Sequence, residues 1–258
     1  MSAPPLPLAG LGVVITRPRA AAEALATTLA AAGARPFVFP ALAIDPLPDS
    51  GILATALAGL DACDLAIFVS ANAVEHGLAL VRRHGAWPAA ARVAAIGEAT
   101  ALALRNSGFA AVISPKTRHD SESLLALEEL KSVDGRKILI FRGQGGRELL
   151  RGALESRGAH VTYVECYRRT RPSADAAPLL HAWAHGEIQA VSVLSAETLE
   201  NFVAMIGPEG EAHLSRTALV VPHEAIARRP LARRFARVAV SSPDEGMVQA
   251  LAALRVTS

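Results

Sequence analysis

The feature that most constrains this chain is an internal repeat. Val13-Val14-Ile15-Thr16-Arg17 is matched by Ile138-Leu139-Ile140-Phe141-Arg142, and Phe68-Val69-Ser70-Ala71 by Val193-Leu194-Ser195-Ala196. The spacing is constant, since 142 − 17 and 195 − 70 both give 125. A third pair, Leu124-Leu125-Ala126-Leu127 with Val248-Gln249-Ala250-Leu251, lies at 124. Such self-similarity implies two copies of one supersecondary unit. Within each copy, short apolar runs alternate with helical stretches. Strands are expected at residues 12–16, 36–39, 65–69, 93–96, 111–113, 137–141, 160–164, 188–194, 219–221 and 238–240. Helices are expected at 20–32, 51–60, 70–83, 97–106, 121–130, 147–157, 195–206, 222–234 and 244–254. Runs such as residues 65–69 are apolar throughout, as in a strand buried on both faces of a parallel sheet. The alternation therefore predicts a parallel α/β architecture.

Composition agrees and narrows the function. Of 258 residues, 51% are hydrophobic and 19% charged, which suits one large or two small domains with a sizeable core. Aromatic residues are only 4%, favouring helices on a sheet over an aromatic-rich sandwich. A net charge of +2 is too small to argue for nucleic acid. Cys63 and Cys166 have no CxxC or metal-ligand spacing and read as reduced, buried thiols. Residues 1–8 have no basic region or long apolar run, so no export signal is expected, and no apolar run reaches the roughly 20 residues of a membrane span. A cytoplasmic chain is expected.

The stretch richest in chemistry runs from Gly135 to Arg169. A strand ends in Arg142, followed by Gly143-Gln144-Gly145-Gly146 and a helix. Backbone N–H groups exposed by a glycine turn, with an arginine beside them, suit an anion. A second strand then runs into Tyr167, Arg168 and Arg169. The glycines form neither GxGxxG nor a P-loop, so nucleotide readings are weak. His181 and His185 are four apart but lack a third ligand, so no metal is expected. No GxSxG elbow surrounds Ser70 or Ser195.

The repeat also acts as a filter. Arg17 and Arg142 occur in both copies, as do Ser70 and Ser195. Packing of the arginine stems and helix N-capping by the serines are therefore rival explanations for them. Tyr167 differs, because its counterpart is Leu42. The architecture accepts an aliphatic residue there, so the phenol is available for chemistry, although a packed tyrosine with a satisfied hydroxyl is the plain alternative. What remains is a site of arginines, backbone N–H groups, hydroxyls and one tyrosine. It suits a polyanionic ligand that carries its own reactivity.

These residues resemble the bacterial uroporphyrinogen-III synthase family. The resemblance rests on Ile15-Thr16-Arg17-Pro18, Phe68-Val69-Ser70-Ala71-Asn72-Ala73-Val74 and Ala95-Ile96-Gly97-Glu98-Ala99-Thr100-Ala101. It continues through Phe141-Arg142-Gly143, Gly146-Arg147-Glu148-Leu149-Leu150 and Tyr167-Arg168-Arg169. It covers nearly the whole chain, in order. It implies two similar parallel-sheet α/β domains from an internal duplication, joined by a two-stranded linker, with the active cleft between them. On this chain that gives residues 1–38 with 171–258 as one domain, 45–163 as the other, and 39–44 and 164–170 as linker strands.

The implied reaction cyclises linear hydroxymethylbilane to uroporphyrinogen III. Ring A loses its hydroxyl and ring D is inverted through a spiro intermediate, without a cofactor. The resemblance implies Tyr167 as the catalytic proton donor. A phenol, with an ordinary pKa of about 10, is protonated at neutral pH. Arg17, Ser70, Asn72, Thr100, Arg142, Gly143 and Ser195 are implied as substrate-binding. The turn at Pro222-His223-Glu224 departs from the family pattern and receives no role. The expected partner is the linear tetrapyrrole, with the preceding enzyme of the pathway as a further candidate. A monomer is expected. The rival readings are a non-catalytic two-lobed protein that binds a small anion or sugar phosphate, and a regulatory domain of the same fold.

Overall fold

A computed structural model of the chain describes residues 6–48, 51–242 and 246–256. Residues 1–5, within the stretch read for an export signal, and residue 244, the expected start of the last helix, lie outside the described residues.

The elements in chain order begin with β1 (Gly12–Ile15), α1 (Arg19–Ala31), β2 (Arg35–Val38), β3 (Ala43–Pro46), α2 (Gly51–Leu57), β4 (Leu65–Phe68) and α3 (Ala71–His84). Next come β5 (Arg92–Ala95), α4 (Glu98–Asn106), β6 (Val112–Ile113), α5 (Ser121–Leu125), α6 (Glu128–Lys131), β7 (Lys137–Gly143), α7 (Leu149–Glu155) and β8 (His160–Thr170). The chain closes with α8 (Ala177–Ala184), β9 (Ala190–Ser192), α9 (Ala196–Leu214), β10 (Ala218–Val221), α10 (Glu224–Ala227), β11 (Arg237–Val240) and α11 (Met247–Val256). Short 3-10 turns lie at Leu60–Ala62 and Ala232–Arg234.

The chain divides into two compact units, Met1–Ala43 with Thr170–Ser258, and Ile44–Arg169. The first holds a sheet ordered β11-β10-β9-β1-β2, the second a sheet ordered β3-β8-β7-β4-β5-β6. The 125-residue offset carries β1 to β7, β2 to β8 and β4 to β9, and it brings β5 and β6 onto β10 and β11 to within a residue or two. The two sheets thus have the same strand order, with β3 an added edge on the second. Neither unit is a single repeat. Leaving β3 aside, each combines two strands of one copy with three of the other, so the duplicated copies have exchanged their ends.

Both faces of each sheet are covered, which explains the continuous apolar strands. In the second unit Ala66, Phe68, Leu139 and Phe141 join the core on one face. Leu65, Ile67, Ile138 and Ile140 join the core on the other. Phe68 and Phe141 stack at 4.6 Å between centroids, a contact worth about 1 kcal/mol beyond its area. In the first unit Val13 and Ile15 go to one face and Val14 to the other.

Several expected boundaries move for local reasons. The helix expected over 222–234 stops at Ala227, because Pro230 disfavours a helical residue before it and cannot donate an N–H. The helix expected over 121–130 splits where Leu127 turns extended, and Leu124, Leu125 and Leu130 still reach one core. α9 runs on to Leu214 but is broken at Gly207, whose φ of 63° is left-handed. The strand expected over 160–164 continues to Thr170, and β3 forms inside the proline-marked connector and pairs along β8.

Gly77 of α3 faces the stacked ring pair so closely that a Cβ would lie 2.6 Å from Phe141 Cδ1. Gly77→Val is expected to lower unfolding free energy by about 2 kcal/mol, the usual cost of overpacking. A urea melt with an unshifted midpoint would show that α3 slides to make room.

Candidate functional site

β7 and β8 build the site. They pair in parallel from Lys137 with His160 up to Arg142 with Glu165. There the register breaks, and Gly143 pairs with Tyr167, so Cys166 is an extra residue. Such a bulge re-aims the side chain that follows it. Before it, Tyr163 packs with the core on the Ile138–Ile140 side. After it, Tyr167 joins Val164 and Cys166 in the core on the Phe141 side. Gln144 N–H donates to Tyr167 carbonyl at 2.7 Å and closes the pairing beyond the bulge.

The phenol lies over Gly143. A Cβ at that position would be 2.7 Å from both Cε2 and Cζ of Tyr167, so the ring needs a glycine beneath it. Tyr167 is only 3% exposed. Its hydroxyl lies 3.1 Å from Ser70 Oγ, and either atom can donate. Ser70 is also the N-cap of α3 and accepts from Ala73 N–H at 3.0 Å. One serine therefore caps a helix and meets the phenol. The His76 ring, one α3 turn further on, lies 5.8 Å from the Tyr167 ring.

Arg142 goes to the opposite face, and it is 5% exposed. Its guanidinium donates to the carbonyls of Gly143 at 3.3 Å and of Gly145. It pairs with Glu148 Oε1 at 3.1 Å and stacks over the Tyr163 ring, 4.3 Å from the centroid. Tyr163 hydroxyl donates to Glu148 Oε2 at 2.9 Å. Burial first, then the adjacent Glu148 carboxylate, raises the Tyr163 phenol above its ordinary pKa. Gly145 and Gly146 have φ of 73° and 106°, which lets the loop curl around the guanidinium. Gly145 N–H donates to Glu165 Oε1 at 3.1 Å.

Some of these groups, Arg142, Tyr163, Tyr167 and the glycine turn, wall a cavity of about 350 Å³ at the carboxyl end of β7. Its lining includes Val69, Ile96, Arg142, the backbone of Gly143 through Gly146, Arg147, Tyr163, Tyr167 and Arg169. A neighbouring cavity of about 340 Å³ shares Gln144 and Tyr163 and is lined by Leu47, Pro48, Leu53, Ala56 and Glu165.

The structure thus gathers four of the expected residues, Tyr167, Ser70, Arg142 and Gly143. Thr100 lies buried in the first turn of α4 in the same unit. Asn72 lies in the first turn of α3 but lines a separate cavity with Glu75, Arg82 and Ser107. Arg17 and Ser195 belong to the other unit. Arg17 is 8% exposed at the end of β1, and Ser195 caps α9, accepting from Thr198 N–H at 3.1 Å. Three participants were not expected from sequence: Tyr163, Glu148 and Glu165. A period-two reading of β8 would have signalled two of them, since Tyr163, Glu165 and Tyr167 alternate along it. His181 and His185 stack on each other at 4.1 Å on α8.

The uroporphyrinogen-III synthase HemD family model matches residues 23–249. The chain belongs to the uroporphyrinogen-III synthase family. It is 37% identical to the uroporphyrinogen-III synthase of Salmonella typhimurium and 34% identical to that of Escherichia coli. Each match covers 93% of this chain and 100% of the relative. Solved uroporphyrinogen III synthases share the fold. That of Thermus thermophilus matches with a TM-score of 0.57 at 22% identity over 96% of both chains. That of Helicobacter pylori matches with a TM-score of 0.57 at 13% identity, over 96% of this chain and 99% of its own.

Cys166, the extra residue of the bulge, donates to Arg142 carbonyl at 3.3 Å. Burial pushes its thiol up to about 12. An unfolded thiol ionises near 9, so the unfolded chain sheds this proton first. The stabilisation from Cys166 is whole below that value and is lost as pH rises toward about 12. Urea midpoints are expected to fall from about pH 9 to about pH 11, and Cys166→Ala to fall less steeply. Equal slopes for the two proteins would contradict the assignment.

Proposed function

We propose that the chain is a cyclising hydro-lyase that converts linear hydroxymethylbilane to uroporphyrinogen III, with inversion of ring D. The reading combines the family match over residues 23–249 with one geometric observation, the Tyr167 hydroxyl 3.1 Å from Ser70 at a cavity bordered by arginines. The relatives of Salmonella typhimurium and Escherichia coli are uroporphyrinogen-III synthases by name, so a merely binding or regulatory protein is not favoured.

In the proposed step Tyr167 gives its proton to the hydroxyl leaving ring A. The C–O bond breaks and water departs. Ser70 orients the phenol. The electron-deficient carbon left on ring A is attacked by ring D at its substituted position, and rearrangement through the spiro intermediate inverts that ring. The proton that ring D sheds from its newly bonded carbon on regaining aromaticity returns to the Tyr167 phenolate. One water is lost overall. Nothing in this route needs a redox or metal group. The task of the protein is orientation, because closure without inversion is the competing outcome. The carboxylates of the substrate suit the guanidinium groups and amide N–H donors near the 143–147 turn. Arg17, Asn72, Thr100 and Ser195 belong to the proposal as further substrate contacts. So do the linker segments 39–44 and 164–170, a monomeric state, a cytoplasmic setting and an encounter with the preceding enzyme of the pathway.

Purified protein incubated with freshly made hydroxymethylbilane is expected to yield isomer III; isomer I alone would reject the reading. Tyr167→Phe is expected to lower kcat by about 10²-fold while folding normally, as loss of a general acid does. Ser70→Gly, which keeps most of the N-cap stability but removes the hydroxyl, is expected to lower kcat by a smaller factor. Undiminished turnover in Tyr167→Phe would remove the phenol from the reaction.

A further inference from the structure

Arg142 presents a problem for any reading in which it holds a substrate carboxylate. It is already in contact with a carboxylate of its own chain. Glu148 Oε1 is 3.1 Å from Arg142 Nη1, and Glu148 Oε2 accepts the Tyr163 hydroxyl at 2.9 Å. The two partners differ greatly in exposure. The arginine side chain is 6% exposed and that of Glu148 is 67% exposed.

That asymmetry decides what can move. A buried guanidinium stripped of its counter-ion is strongly destabilised, so Arg142 will not be left bare. A carboxylate that is mostly in water loses little by swinging out. An exposed partner contributes only modestly to such a pair, whereas an incoming carboxylate in the cavity would inherit the buried guanidinium. Arg142, Arg147 and Arg169 line the cavity, whereas Glu148 reaches Arg142 from beside it. Gly145 and Gly146, between the two partners in sequence, have left-handed backbones that tolerate a rearranged loop.

We propose that Glu148 is a resident counter-ion for Arg142 that a substrate carboxylate displaces. The inference rests on the synthase reading of the same site. Glu148 is a positioning residue: it keeps the guanidinium charged, oriented and paired while the cavity is empty, and it competes with the ligand for it. Tyr163 sets how firmly the competitor is held, through its hydrogen bond to the second oxygen.

The test uses the full chain and uroporphyrin, the stable octacarboxylate with the outline of the product, with binding followed by fluorescence. Its octamethyl ester serves as the uncharged control. Glu148→Gln removes the competing charge while keeping the shape, and is expected to tighten binding of the octacarboxylate about fivefold, with no change for the ester. In an Arg142→Ala background the same substitution is expected to change nothing. Tyr163→Phe, which frees one carboxylate oxygen, is expected to shift affinity in the same direction by a smaller factor. With hydroxymethylbilane as substrate, Glu148→Gln should lower KM in parallel, with kcat much less affected. A brace that merely stiffens the loop predicts the reverse, weaker binding from Glu148→Gln. Weaker or unchanged binding, or a gain that persists without Arg142, overturns the proposal. If Glu148→Gln fails to fold, the sign of the Tyr163→Phe shift decides. If the protein forms no isomer III, the synthase reading fails; the binding measurements still decide the counter-ion exchange.

Discussion

One additional residue in a parallel strand pair decides where the phenol of the second unit goes. Pairing between β7 and β8 runs in register through Arg142, then gains Cys166 on one side only. A strand presents alternate side chains to alternate faces, so a single insertion reverses which face the next residue meets. Without it, Tyr167 would follow Tyr163 and Glu165 to the Arg142 side. With it, the ring drops over Gly143 and its hydroxyl reaches Ser70 at the end of β4. The bulge therefore separates two tyrosines that the plain alternation would have stacked along one face. One is bound to the guanidinium–carboxylate cluster and the other is aimed at a serine.

The duplication shows what is particular to this end of the chain. Arginine stands at the carboxyl end of the first strand in both copies, and serine caps the long helix of both, with the same acceptance of the N–H three residues on. The places of these residues repeat with the shared architecture. The two positions that meet over the bulge are not shared. Tyr167 corresponds to Leu42, and Gly143 corresponds to Pro18, which precedes α1. A proline ring at the position of Gly143 would occupy the place of the phenol, so the glycine and the tyrosine make sense only together. The fold is common to both units, whereas the phenol over its glycine slot belongs to one.

This separates what the sequence could reveal from what it could not. Strand–helix alternation, the 125-residue spacing and the parallel sheets followed from apolar runs such as residues 65–69, because a strand buried on both faces has few ways to be arranged. Tyr167 was singled out by comparison with Leu42, and Ser70 by its capping position. The contact between them was not legible, because a bulge leaves no mark in a one-dimensional pattern: Val164-Glu165-Cys166-Tyr167 reads equally well as a regular strand. Arg142 was recognised as a cation near a glycine turn, but its partners were hidden. The carbonyls it binds belong to the turn itself, and Glu148, present in the family motif, carries no sign in the sequence of a pairing with Arg142. Pro230, by contrast, was in plain view, and the overlong helix drawn through it shows local chemistry overridden by a periodic pattern.

The environment of the phenol bears on how it could act. Its ring is fixed by Gly143 beneath and by the apolar core on the Phe141 side, its carbonyl by Gln144, and its oxygen by Ser70. A tyrosine free to rotate would have to be ordered in the transition state, at a cost in side-chain entropy. Here that ordering is already present in the folded chain and is carried by the strand pairing. Proton donation to a departing hydroxyl demands a short, directed approach, and orientation of the donor is the part of catalysis that a rigid scaffold can provide in advance. The arginine cluster on the opposite face has a different requirement. On the proposed reading its ligand arrives and leaves, which a loop of glycines and a water-exposed carboxylate would suit. On the proposed reading, rigid donor and yielding anion site meet at two consecutive residues of one strand: Arg142, whose side chain takes one face, and Gly143, over which the phenol lies on the other.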